Sequence, residues 1–218
     1  MREVSTSILT VEKENAVRIF YDLEVGKTDY FHIDVMDGKF VEKDTTSIMK
    51  DYSLTLSHIT NIGLDVHLMV EEVELFVDEY IEFNPEYITF HIEATKTKER
   101  TMEIINTIKE NGIKVGISVS PDTSIDEIKE YLPYVHMVLI MTVVPGKGGQ
   151  KLIPETLEKV KELKKYIEEN NLDIMIEVDG GINSETADSA KEAGADILVA
   201  GSYIINAENY SEAIKKLK

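Results

Sequence analysis

The chain has 218 residues, 43% of them apolar, with twelve glycines, five prolines and no cysteine. That content supports one sizeable core and excludes disulfides, thiolate metal sites and a cysteine nucleophile. A net charge of −18, from 23 basic and 41 acidic residues, argues against nucleic acid, since phosphate-backbone binding needs clustered Lys and Arg.

Short apolar runs stand at 4–9, 30–36, 63–70, 87–93, 114–120, 137–143, 174–179 and 196–201. Between them lie segments with helical spacing and charged faces: 14–23, 73–83, 99–112, 124–132, 154–171 and 185–194. A segment at 45–61 is a weaker helix because of its Thr and Ser content. Gly112 and Gly194 stand where helices should stop. Eight strands alternating with helices, with no linker, predict an α/β fold with a parallel sheet in a single domain, residues 1–218. Units of roughly 27 residues fit a closed (β/α)₈ TIM barrel better than an open doubly wound sheet. The open sheet also lacks its usual G-x-G-x-x-G after the first strand. No run approaches a membrane span and MREVSTSIL has no signal-peptide core, so the expectation is cytoplasmic, without membrane association.

The run FHIDVMDG alternates with period two, placing His32, Asp34 and Met36 on one face and Phe31, Ile33 and Val35 on the other. In a barrel, function sits at the C-terminal strand ends. His32, Asp34, His67, His91, Glu93 and Asp179 all fall there, including three of the chain's five histidines. His32, Asp34, His67 and Asp179 suit one divalent ion per chain with nitrogen and oxygen ligands: Zn²⁺ first, with Fe²⁺, Mn²⁺ or Co²⁺ also compatible. A polar network without metal is the alternative.

A separate signal points to phosphate. Gly146, Lys147, Gly148 and Gly149 follow the sixth strand, Gly180 and Gly181 the seventh, and Gly201 and Ser202 the eighth. Glycines let backbone N–H groups approach an anion closely, and barrels commonly bind phosphate beside strands seven and eight. Met36, Met69 and Met141 also fall at strand ends. They are either core filler or an inert shield for a reacting centre.

The stretches STSIL, HIDVMDGKFV, DVHLMV, ITFHIEA, MTVVPGKGGQ, EVDGGIN and GADILVAGS together resemble the ribulose-phosphate 3-epimerase family, over nearly the whole chain and in order. The resemblance implies a (β/α)₈ barrel that interconverts D-ribulose 5-phosphate and D-xylulose 5-phosphate through a metal-stabilised cis-enediolate. It makes His32, Asp34, His67 and Asp179 the metal ligands, and Asp34 and Asp179 the acid/base pair. Ser7 and His67 become substrate contacts, and the glycine turns the phosphate side of the pocket. The partner is then a small phosphorylated ketose, and a homo-oligomer is open.

Three positions depart from the family pattern: Thr6 replaces the proline of S-P-S, Glu42-Lys43 replaces P-N after F-V, and Lys147 replaces an aromatic residue. They bear on substrate length, keeping a ketohexose 6-phosphate such as D-allulose 6-phosphate as a rival substrate. A hexulose-phosphate synthase would need D-x-K-x-x-D, and residue 36 is Met. A non-catalytic sugar-phosphate-binding barrel would be expected to have lost one of the four ligands. Asp37, His91 and Glu93 have no role assigned by sequence; Asp37 could simply end the strand with Gly38.

Overall fold

Eight parallel strands pair in sequence order and the last pairs with the first, closing a barrel. The strands are β1 (Glu3–Ser7), β2 (Tyr30–Met36), β3 (Gly63–Met69), β4 (Tyr87–His91), β5 (Lys114–Val119), β6 (Met137–Met141), β7 (Met175–Asp179) and β8 (Ile197–Ala200). Outside them run α1 (Ala16–Val25), α2 (Thr46–Ile59), α3 (Val73–Ile81), α5 (Lys98–Glu110), α6 (Thr156–Glu169), α7 (Ala187–Ala193) and α9 (Tyr210–Leu217). Two single turns, α4 (Ile92–Thr95) and α8 (Ser202–Ile205), follow β4 and β8 directly. This computed structural model describes residues 2–218. Among them no helix is long and apolar enough to cross a membrane.

The alternation along each strand separates two interiors. Phe31, Ile33 and Val35 of β2, with Val66, Leu68, Ile88 and Phe90 of the next strands, join the main core with helix residues such as Phe20, Met49, Leu56 and Val77. Phe20 meets Phe31 and Tyr52 edge-on, with ring centroids 5.7 and 5.4 Å away. Each such side chain contributes about 1.5–3 kcal/mol by leaving water, so this outer layer carries the stability. The opposite parity fills the barrel lumen. A floor of Tyr87, Met137 and Ile197, with Tyr30 and Met175 packed on it, underlies buried Ser5, His32, Asp65, Thr89, Ser118 and Glu177.

Two elements differ from the sequence reading. Residues 124–132 form no α-helix: one 3-10 turn spans Ile125–Glu127 and another Leu132–Tyr134. Ile125, Ile128 and Leu132 are still buried, and a three-residue turn serves that spacing. Pro133, lacking an N–H, sits in the second turn. The weak segment at 45–61 is a full helix, α2, because Met49, Tyr52, Ser53 and Leu56 bury one face. Its hydroxyls bond back into the helix, Ser53 to the Met49 carbonyl and Thr55 to that of Asp51, rather than competing with it.

Candidate active site

Adjacent strands bring the charged residues together by register. His32 pairs with Asp65, Asp34 with His67, and Met141 with Asp179. His32 Nε2 lies 3.4 Å from Asp34 Oδ1 and 3.9 Å from Asp179 Oδ2. His67 Nδ1 lies 3.4 and 3.7 Å from the same two oxygens. One ligand atom from each of His32, Asp34, His67 and Asp179 fits within 4.8 Å of all the others. Both ring nitrogens are buried without a hydrogen-bond partner among the described residues. Orphaned buried polar atoms are costly, and nitrogen and carboxylate oxygen around one point are the donor set of a divalent cation. The four residues fit such an ion.

The electrostatics fit as well. Burial would raise Asp34, but the His32 and His67 rings outweigh it and hold its carboxyl far below the usual range. Ser7 Oγ donates to Asp34 Oδ2 at 2.7 Å. Asp179 behaves oppositely: burial, then the charge of Asp34, push it up to about 7. On His32, burial is outweighed by the charges of Asp65 and Asp34, so the ring binds a proton well above the ordinary imidazole range. Burial lowers His67. A cluster that recruits a proton this strongly is one in which a cation substitutes well.

Above the cluster opens a cavity of about 760 Å³, within the range of small-ligand pockets. Ser7, Asp34, Met36, Met69, Met141 and Asp179 line its inner end. Gly146, Lys147, Gly148, Gly149, Gly180, Gly181, Gly201 and Ser202 are also among its lining residues. Gly180 and Gly181 require glycine here. Both have positive φ, and a Cβ would lie 2.3 Å from Val143 Cγ2 and 2.3 Å from the Leu152 nitrogen respectively. His32 and His67 lie fully buried beneath the carboxylates.

Residues 3–205 match the family model described as ribulose-phosphate 3 epimerase family. The chain belongs to the ribulose-phosphate 3-epimerase family. Among its relatives, the ribulose-phosphate 3-epimerase of Methanocaldococcus jannaschii is 43% identical over 218 residues, all of this chain and 90% of that protein. The protein of the same name from Bacillus subtilis is 37% identical over 219 residues, all of this chain and 99% of that one. The chloroplastic ribulose-5-phosphate-3-epimerase of Arabidopsis thaliana is 38% identical over 99% of this chain and 75% of its own length. Solved structures share the barrel fold. A 3-hexulose-6-phosphate synthase superimposes with a TM-score of 0.73 at 13% identity, over 100% of this chain and 98% of the other. The Salmonella typhimurium 3-hexulose-6-phosphate synthase gives 0.70 at 16%, over 100% and 96%. This chain is thus a member of a family of carbohydrate isomerases.

Of the three departures from the epimerase pattern, only Lys147 lines the cavity. Thr6 is buried on β1 with its hydroxyl 2.7 Å from that of Thr28, on the outward parity. Glu42 and Lys43 sit in the loop after β2, where the Lys43 carbonyl accepts from the Gly38 N–H. Asp37 is a loop clamp: its carboxylate accepts from the N–H groups of Lys39, Phe40 and Glu71. Glu93 lies on α4 rather than on the strand, and contacts His91 and the loop after β5. Sequence reasoning missed the layer beneath the site. Asp65 Oδ2 accepts from Ser5 Oγ at 2.7 Å and sits 2.6 Å from His32 Nδ1. Glu177, fully buried near Asp65, is raised well above the ordinary carboxylate by burial and by the Asp65 charge. The signal was present, since each of Ser5, Asp65 and Glu177 stands two residues before a candidate site residue.

Proposed function

We propose that the chain is a metal-dependent ribulose-phosphate 3-epimerase interconverting D-ribulose 5-phosphate and D-xylulose 5-phosphate by proton transfer at C3. One observation carries this reading: Asp34 and Asp179, from β2 and β7, converge on the inner end of a cavity walled by glycine turns. The names of the relatives agree with it.

A C3 proton beside a ketone is too weakly acidic for an unaided carboxylate to remove quickly. His32, Asp34, His67 and Asp179 would hold a divalent ion, whose contribution when bound is Lewis-acid polarisation of the ketose carbonyl. The residues do the rest. Ser7 fixes one oxygen of Asp34, orienting it as a base for the C3 proton. Its removal flattens C3, and a proton returned to the other face by Asp179 inverts the centre. Inversion needs the two carboxyls in unlike states, Asp34 ionised to take the proton and Asp179 protonated to give one. After one turnover their states are exchanged, which is the starting point for the reverse reaction. Met36, Met69 and Met141 border the cavity with no exchangeable proton, so they exclude water from C3 without competing.

Phosphate needs local positive potential in a chain of net charge −18. Backbone N–H groups of the glycine turns supply it, and Lys147 adds a charge at the same end of the cavity. Met36 occupies the place where a hexulose-phosphate synthase would carry lysine, which favours the epimerase. The test is turnover of D-ribulose 5-phosphate and D-allulose 6-phosphate side by side, before and after chelation and metal return. Faster turnover of the pentulose, lost on chelation and restored by metal, supports the reading. No turnover of either sugar by the metal-loaded protein overturns it.

A further inference from the structure

Behind His67 lies a chain of polar groups that the epimerisation chemistry does not use. Glu93 Oε1 accepts from the Ser120 N–H at 2.8 Å and from the Thr123 hydroxyl. That loop is itself pinned, because Lys159 Nζ of α6 donates to the carbonyls of Ser120, Pro121 and Thr123. The other carboxylate oxygen, Oε2, lies 3.1 Å from His91 Nδ1. His91 Nε2 in turn lies 2.9 Å from His67 Nε2. The rings of His91 and His67 are stacked, 25° from parallel with centroids 5.1 Å apart, and Phe40 packs against His91 at 4.9 Å.

We propose that His91 and Glu93 are a positioning pair that fixes the tautomer of His67 and thereby aims its Nδ1 lone pair at Asp34 and Asp179. A carboxylate that accepts from an N–H and a hydroxyl is an acceptor toward His91 as well, so His91 carries its proton on Nδ1. The neutral ring then has a lone pair on Nε2. An N···N contact of 2.9 Å needs one hydrogen, so His67 supplies it from its own Nε2. That leaves the His67 Nδ1 unprotonated, buried, and without a partner among the described residues. In the opposite tautomer Nδ1–H would face the carboxylates and the lone pair would point away from the site. Asp65 faces the Nδ1 of His32 at 2.6 Å, on the side away from Asp34 and Asp179.

The proposal rests on reading His67 as a metal ligand, but the tautomer itself is observable without metal. The experiment uses the full-length chain labelled with [¹⁵N]histidine and stripped with chelator, reading imidazole ¹⁵N–¹H correlations. Co²⁺ affinity is then measured by competition. The expected wild-type pattern is Nε2–H on His67 and Nδ1–H on His91. His91→Phe and Glu93→Leu should each mix the His67 tautomers and weaken Co²⁺ by about 10–100-fold, leaving the His32 pattern unchanged. Glu93→Gln, whose amide oxygen still accepts, should recover most of the affinity. If His91→Phe does not fold, the two Glu93 variants carry the same comparison. A proton on His67 Nδ1 in the wild type, or Co²⁺ affinity within about twofold of wild type in every folded variant, overturns the proposal. A wild type that binds no Co²⁺ refutes the metal reading instead. In that case the His67 tautomer alone decides, Nε2–H supporting the positioning pair and Nδ1–H overturning it.

Discussion

Replacing Asp179 by Asn should abolish turnover and yet stabilise the metal-free protein above neutral pH. In the fold Asp179 is raised from 3.8 to about 7 by burial and the neighbouring Asp34 charge. In the unfolded chain that carboxyl ionises near its ordinary value. The folded state therefore holds a proton that the unfolded state releases. Stability from this group is intact below about pH 4, falls as pH rises toward 7, and is flat beyond. At about 1.4 kcal/mol per unit of separation, the ionised carboxylate costs the metal-free fold roughly 4 kcal/mol at pH 8 and roughly 2 at pH 5. Asn carries no charge to bury. Urea unfolding in EDTA should thus show Asp179→Asn more stable than wild type, with the advantage growing by roughly 2–3 kcal/mol from pH 5 to pH 8. Divalent metal should narrow the gap at pH 8, because wild type gains about 2.7 kcal/mol at a hundredfold excess over Kd and the variant lacks one ligand. An advantage that does not grow with pH, or a variant less stable at pH 8, would exclude a proton held by Asp179 in the metal-free fold.

Ser7→Ala removes a charge-assisted hydrogen bond to Asp34 worth about 1.5–3 kcal/mol, so kcat/KM should fall about 10–100-fold; an unchanged value would remove Ser7 from the mechanism. Lys147→Ala should raise KM for the phosphorylated ketose with little change in kcat, and an unaltered KM would make Lys147 a bystander. Gly181→Ala forces a Cβ to within 2.3 Å of the Leu152 nitrogen at a φ of +69°. It should cost about 1–3 kcal/mol in thermal unfolding, and an unshifted Tm would contradict that.

Much of the site was legible because period two declares a face. The alternation in FHIDVMDG separated His32, Asp34 and Met36 from Phe31, Ile33 and Val35, and the barrel put the first set inside. The strand-end rule then gathered His67 and Asp179. Period two does not declare depth, which is why Ser5, Asp65 and Glu177 went unassigned. They share the inward parity, one step lower, and only the register shows that Asp65 stands beside His32. Glu93 failed for a different reason: β4 ends at His91 and a helical turn begins, so parity ceased to hold two residues later. The 3-10 turns at 124–132 kept the spacing expected of a helix while differing in geometry, a distinction that burial alone does not encode. Asp37, unplaced by sequence, acts through backbone N–H groups in two loops, and such contacts leave no periodic trace.

The proposed mechanism has Asp34 and Asp179 move the C3 proton of a pentulose 5-phosphate in a metal-loaded site. Its most direct test is epimerisation in D₂O, starting separately from D-ribulose 5-phosphate and D-xylulose 5-phosphate, with the metal content of the same sample determined. The expected result is solvent deuterium at C3 of the product in both directions, at about one divalent ion per chain. Interconversion that leaves C3 free of deuterium, or that proceeds at full rate with no metal in the sample, would contradict it.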